Sequence, residues 1–380
     1  MRRNLCQRTY KVSFVTPAFL RGADQSAQWR VPPFKALLRK WWRIVWWNEQ
    51  PKSSRSVEAL RNQENAWFGT SADKGTGASR LRLRIHDWRG GKLPRGEFNQ
   101  TQLPPVRDLE VQKRVRAFLY LGNGLINWNK YSGSAQLQRE SALRCDDSRE
   151  LKLFYPQGEM DRQIQRAMML MAFCGCLGGR SRNGWGSLQI QLVSDHEAPQ
   201  PLFDEAVLDE GNRDARKWLH EVAVKWTDAL ELDWCHAVGC DDTGLLLWRT
   251  EPKKGWHQVM EELAKIKIGF RTQFQFKAAG PLTKLYHRHI LAYPVTNHPF
   301  GKWGDKARSA NQLLFKVLKV SDGYQGIIVH LPHAIPEPLR KKAVKQQAAA
   351  RELKQMEQTV WSKVHAYLDS GSKVRVVRLP

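Results

Sequence analysis

Two periodicities meet early in this chain, and their order restricts the fold more than any other feature of it. Arg8-Thr9-Tyr10-Lys11-Val12-Ser13-Phe14-Val15 alternates polar and apolar side chains, the pattern of a strand with one buried face. Thr16-Pro17 stops it, because proline has no N–H to give to a ladder. Gly22 lets the next loop turn, and Pro32-Pro33 forces an extended entry and presets a first helical turn. From about Pro33 to Trp47 the period becomes helical, with Phe34, Leu37, Leu38, Trp41 and Val45 as the core stripe. Lys35, Arg39 and Arg43 recur every four residues on another face, with Trp42 and Trp46 beside them. Cations interleaved with rings suit a nucleic-acid strand, phosphates on the cations and bases or sugars on the rings. The competing interpretation is a buried helix whose arginine stems pass bulky packing.

The chain then repeats this alternation of element types. Asn48 to about Ser79 is polar, with a short helix near Val57–Asn65. Arg80-Leu81-Arg82-Leu83-Arg84-Ile85-His86 alternates cleanly, so its three arginines share one sheet face, either in solvent or along phosphates. Residues 87–147 form a long, weakly patterned insertion, in which Val111–Leu121 reads as a strand or short helix. Glu150–Tyr155 is a strand and Met160–Cys176 a helix that buries Ile164, Met168, Leu170 and Met171. Leu177-Gly178-Gly179-Arg180-Ser181-Arg182-Asn183-Gly184-Trp185-Gly186-Ser187 follows, and a strand begins at Leu188. Four glycines exceed what a helix C-cap needs. With Arg180 and Arg182 between them, they predict a backbone that approaches phosphates closely. The order strand, helix, strand, strand, helix, strand is the split βαββαβ order of a ferredoxin-like or RRM-like unit, and RRMs stack bases on that sheet.

Ser194 to about Gly211, polar with Pro199 and Pro201, marks a boundary between units 1–198 and 199–380. In the second unit Asn212–Leu232 reads as a helix and Ile266–Phe276 as a strongly alternating strand. Arg308–Val320 and Tyr324–Leu331 read as a hairpin around Asp322-Gly323. Pro336–Leu368 is a long helix, and Lys373–Leu379 closes as an edge strand. This half is a second, looser split unit. The fold expected is therefore α+β, two tandem ferredoxin-like domains with a long insertion in the first.

The formal net charge is +24, which calls for a polyanionic partner, nucleic acid before a membrane surface. No run of eighteen apolar residues exists and the N-terminus lacks the pattern of a signal peptide, so a cytoplasmic protein is expected. The six cysteines lack zinc-ligand spacing, so neither a metal nor a cofactor is expected.

Three segments are similar to a known family. Thr16-Pro17, Gly22-Ala23-Asp24 and Pro33-Phe34-Lys35-Ala36-Leu37-Leu38-Arg39-Lys40-Trp41-Trp42-Arg43 resemble the opening of the RAMP superfamily of CRISPR proteins, specifically the first-numbered subunits of type III-B Cmr complexes. Leu177–Ser187 resembles that family's glycine-rich loop, with Asn183 and Trp185 departing from the usual Arg and Phe. Arg308-Ser309-Ala310-Asn311-Gln312-Leu313 resembles a further Arg-x-Ser-Pro-Leu element, broken at Asn311 and Gln312. The resemblance implies a non-catalytic subunit near the end of the effector complex away from the guide's 5′ tag. It would bind CRISPR guide RNA or complementary target RNA and contact other RAMP subunits. The residues expected at RNA are Arg21, Arg30, Lys35, Arg39, Trp42, Arg43, Gly179, Arg180, Ser181, Arg182, Gly184 and Trp185, with the helix cations paired in space with Arg180 and Arg182.

Two other function classes compete. Asp24 lies near where target-cleaving RAMP subunits keep a catalytic Asp, and His287, His289 or His298 offers a general base. Asp24 has no acid/base partner nearby in sequence, and between Arg21 and Arg30 it reads as an ion-paired anchor of its loop. The Trp/Arg helix also suits a membrane surface, against which its core stripe and flanking strands argue.

Overall fold

The computed structural model describes residues 5–23, 26–70, 77–89, 91–94, 106–107, 114–115, 117–129, 134–138, 141–145, 147–194, 197–276, 280–304, 306–344, 347–372 and 374–380. The fold is mixed α+β, with two antiparallel sheets as its frame. In the first half β1 (Leu5–Phe14) leads to α1 (Val31–Glu49) and α2 (Val57–Phe68), then to β2 (Arg82–Ile85). The described insertion holds three strand pairs: β3 (Lys92–Pro94) with β8 (Ser141–Leu143), β4 (Val106–Arg107) with β5 (Arg114–Val115), and β6 (Ile126–Asn129) with β7 (Ser134–Leu137). Helix α3 (Ala117–Leu121) lies among them. The half closes with β9 (Ser148–Pro156), α4 (Glu159–Cys174), β10 (Leu188–Ser194) and β11 (Glu197–Pro201). Its sheet runs β11-β10-β1-β9-β2, antiparallel throughout. Each βαβ pair is thus split by a strand of the other pair. Tyr10, Val12 and Phe14 point inward under the helices, while Gln7 and Lys11 are exposed, as the period of two demands.

The second half opens with α5 (Lys217–His220), β12 (Ala223–Lys225), α6 (Trp226–Ala229), β13 (Val238–Asp241) and β14 (Gly244–Leu245). Then come β15 (Leu247–Thr250), α7 (Trp256–Thr272), α8 (His287–Leu291), β16 (Leu313–Val320), β17 (Gly323–His330), α9 (Glu337–Ala343), α10 (Gln347–Ala366) and β18 (Val376–Arg378). The sheet order β16-β17-β15-β18 splits β15-α7-β16 and β17-α10-β18 in the same way as the first sheet.

Two expectations are corrected here. Ile266–Phe276 is not a strand: residues to Thr272 belong to α7, which buries Val259, Met260, Leu263, Ala264, Ile268 and Phe270 on β16 and β17. Its apparent alternation arose because Lys267, a polar member, is turned into the protein interior, where its amine reaches Asn183. Asn212–Leu232 is not one helix. The buried Arg216 guanidinium donates to the carbonyls of Val207, Asp209, Glu210 and Pro380. That ties the segment to the chain terminus and leaves only short turns around it.

Helix α1 is covered on three sides. It packs on the sheet and against α4, where Trp42 Nε1 donates to Gln163 Oε1 at 2.9 Å. Trp42 also meets Trp67 and Phe68 of α2, and Trp47 meets Trp234 edge-on at 5.1 Å. Phe34, Leu38, Trp41, Trp42, Ile44, Val45, Trp46 and Trp47 are all buried. A helix apolar on most of its circumference is a core helix, and this overturns the expectation that Trp42 and Trp46 line an RNA face. The cores of the halves are continuous, since Leu314, Leu318, Ile327 and Val329 pack into the core of the first half.

Candidate nucleic-acid interface

The glycine loop sits between the two sheets. Thr16, at the end of β1, is fully buried; its Oγ1 donates to the Gly184 carbonyl at 2.7 Å and accepts from Ser187 N at 3.0 Å. Gly186 N donates to the Pro17 carbonyl at 3.0 Å. On the other side Phe315 N donates to the Arg182 carbonyl at 3.1 Å, and Val317 N donates to Ser187 Oγ at 2.9 Å. The loop is therefore stitched to β1 and β16 at once.

Its glycines serve this packing. Gly186 has φ +64°, and a Cβ there would stand 1.9 Å from the Leu177 carbonyl oxygen. Gly184 has φ +86°, and a Cβ there would stand 2.8 Å from Met260 Sδ. The expected phosphate contact at Gly184 is corrected accordingly, since the space beside it is filled by α7. Trp185 is also corrected: it is fully buried among Phe19, Phe118 and Trp256, with Phe118 supplied by the insertion. Gly179 packs beside Leu125 of the insertion, and Ser181 lines the cleft described next.

The arginines of the loop do open onto a cavity. A cleft of about 680 Å³ lies between the loop, the insertion and the second half. Arg180, Arg182, Lys267, Arg271, Arg288 and Arg308 line it, with Tyr120, Asn123 and Asn183, and no carboxylate is among its described lining residues. Arg180 is exposed and donates from Nε to the Asn123 carbonyl at 2.7 Å. Arg182 is half-buried and reaches the Asn311 carbonyl, and burial lowers its pKa. Lys267 and Arg271 stand one turn apart on α7. Arg271 donates to the Tyr120 hydroxyl at 2.6 Å and lies over that ring. The half-buried Lys267 donates from its amine to Asn183 Oδ1 at 2.5 Å. Burial, then Arg271 and Arg180, pull its pKa down to about 7.

The cations of α1 lie elsewhere. Lys35 Nζ donates to Ser79 Oγ at 2.7 Å, and burial followed by the nearby Arg39 lowers its pKa. Arg43 grips Glu64 of α2 with two hydrogen bonds of 2.5 and 2.7 Å, and Arg39 approaches the same carboxylate at 3.7 Å. None of the three lines the cleft, so the expected pairing with Arg180 and Arg182 is corrected. The sequence pattern put them on one face; that face is turned to α2, whose Glu64 holds two of them. Arg30 Nη1 donates to the Arg21 carbonyl at 2.5 Å, so the two residues are joined within the loop before α1. Asp24 lies outside the described residues. His289 has both ring nitrogens engaged, one by Tyr286 N and one with the His298 carbonyl. His298 stacks on Phe276 at 4.2 Å.

Sequence reasoning missed Lys267, Arg271, Arg288, Tyr120 and Asn123. A helical reading of 256–272 would have shown Lys267 and Arg271 on one face; the other three carry no local signal. Among the described residues no group of three His, Cys, Asp or Glu side chains could hold a metal, and no helix is long and apolar enough to cross a membrane.

No family model and no curated protein matches the chain. Solved structures do. Cmr1 from Pyrococcus furiosus, in its apo form, is similar at a TM-score of 0.45 and 13% identity, covering 98% of each chain. A chain of the type III-B Cmr-beta complex bound to cognate target RNA is similar at 0.41 and 11%, covering 93% of this chain and 99% of that one. A chain of a type IV-B CRISPR complex is similar at 0.28 and 13%, covering 51% of this chain and 92% of that one. At these levels of superposition and identity the likenesses fix neither fold family nor role.

Proposed function

We propose that this chain is a non-catalytic RNA-binding subunit of a CRISPR effector complex of the type III-B Cmr class. In this reading the two split sheets are ferredoxin-like domains in tandem. The cleft between them holds guide or target RNA near the end away from the guide's 5′ tag, and other RAMP subunits are the protein partners. One observation carries the reading: six cations from the glycine loop, α7, α8 and the segment before β16 converge on one cleft that has no carboxylate among its described lining. Cations gathered along a described lining that carries no carboxylate favour a polyanion. Bases are read by pairing with the partner strand in guided systems, so the protein needs only to grip backbone.

The test is single-stranded RNA binding measured against salt. Arg180→Ala with Arg271→Ala should weaken binding by about tenfold or more, since charge-assisted hydrogen bonds are lost. The slope of log affinity on log salt should fall by roughly 0.7 for each phosphate contact removed. Arg39→Ala with Arg43→Ala is the comparison and should change both far less. The reverse ranking would move the interface to α1. Labelled RNA incubated with the protein should stay intact; cleavage that Asp24→Ala abolishes would make the chain a nuclease.

A further inference from the structure

We propose that Lys267, Arg271 and Arg288, with Asn183 and Tyr120, form a discrete subsite for a single phosphate group within this cleft. The proposal rests on the reading of the cleft as an RNA site and narrows it. Its residues come from four elements: the glycine loop, α3, α7 and α8. Among the described residues no carboxylate pairs with Lys267, Arg271 or Arg288; the oxygens that accept from Lys267 and Arg271, Asn183 Oδ1 and the Tyr120 hydroxyl, are neutral. Arg288 lines the cleft, and its Nε is buried without a hydrogen-bond partner. A buried guanidinium donor left unmatched costs free energy that an incoming oxyanion recovers. Arginines with fixed forks and one ammonium suit the two non-bridging oxygens of a backbone phosphate.

The surroundings of Lys267 add a consequence. It shares the cleft with Arg180 and Arg182 from the loop, Arg271 from its own helix, Arg288 from α8 and Arg308 from the segment before β16; the other acid–base groups among the described lining residues are Tyr120 and Tyr293. Burial, then Arg271 and Arg180, hold its pKa at about 7. An anion bound there offsets part of this repulsion and favours the ammonium. Binding near neutral pH must then draw a proton from solvent.

Sulfate is a suitable probe, because its own charge is constant across neutral pH. Titration calorimetry of the full chain at low ionic strength, repeated in buffers of different ionisation heat, counts the protons. At pH 7 roughly half a proton should be taken up per sulfate. Lys267→Arg should bind sulfate with no uptake, and Arg288→Gln should weaken sulfate by about tenfold with the Lys267 uptake retained. Binding of RNA without measurable binding of sulfate sinks the subsite and leaves the RNA reading standing. Sulfate binding with proton uptake supports the subsite even if RNA does not bind, in which case the RNA reading fails. Sulfate binding without uptake by the unaltered chain overturns the role of Lys267, whether or not Lys267→Arg folds.

Discussion

Lowering the pH from 7 to 5 should destabilise this protein by several kcal/mol. His330, His333 and His365 are buried. His330 Nε2 lies 3.0 Å from Gln312 Oε1, and its Nδ1 lies 3.1 Å from His365 Nε2. Burial holds His330 well below its ordinary pKa, His333 at about 4 and His365 at about 3. The unfolded chain protonates these rings near 6.5, whereas the native one does not until far lower pH. The unfolded state thus binds more protons in that window, so the stabilisation is complete above 6.5 and drains away as pH falls. Glu357 works in the opposite sense. Burial raises its carboxyl to about 7, so between about 4.5 and 7 the native state keeps a proton that the unfolded state has released. Three protons against one gives a net slope that rises from near zero at pH 7 to about 3 kcal/mol per pH unit toward pH 5, at 1.36 kcal/mol per proton. Against a typical total of about 5–15 kcal/mol this is large. Urea midpoints measured at pH 7 and pH 5 check it; equal midpoints would show that these rings are not neutral in the native state.

Trp42→Ala should cost about 3–5 kcal/mol, the range for deleting a buried indole. The side chain is fully buried, and removal also strands Gln163 Oε1, whose partner is the Trp42 Nε1 hydrogen. For a chain of this length a drop of roughly 10 °C or less in melting temperature corresponds to that loss. RNA binding measured well below the new melting temperature should be unchanged. A ring that stacked on bases would give the opposite pair of results, an intact melting temperature and weakened RNA binding.

This residue also shows what a sequence can and cannot say. The period-two runs of β1 and β9 were legible because alternate residues face the core, and α1, α4 and the β16–β17 hairpin were legible from helical spacing and turn chemistry. Trp42 was not, because α1 is buried on a second and third side by α2 and by the segment around Trp234, and no local pattern reports how many layers meet. The same blindness hid the cleft. Arg180 and Arg182 were visible from their place among glycines, but the meaning of Lys267 depends on α7 being a helix, and that of Tyr120 on where a long insertion docks. Cations that share a helix face are found by spacing; cations that share a cavity are found only once the chain has closed around it.

The stitching of the glycine loop has a last consequence. Thr16, Ser187, Arg182 and Phe315 tie β1 to β16 across nearly the whole length of the chain, and Lys316 reaches the Ala172 carbonyl at the end of α4. The wall of the cleft is therefore made where the two sheets are joined, and is not a gap between bodies that hinge. Cut in the exposed stretch around Glu210 and Gly211, the chain should yield two fragments that travel together, and neither alone should present the cationic cavity. The cationic cavity, in other words, belongs to the seam and to neither half.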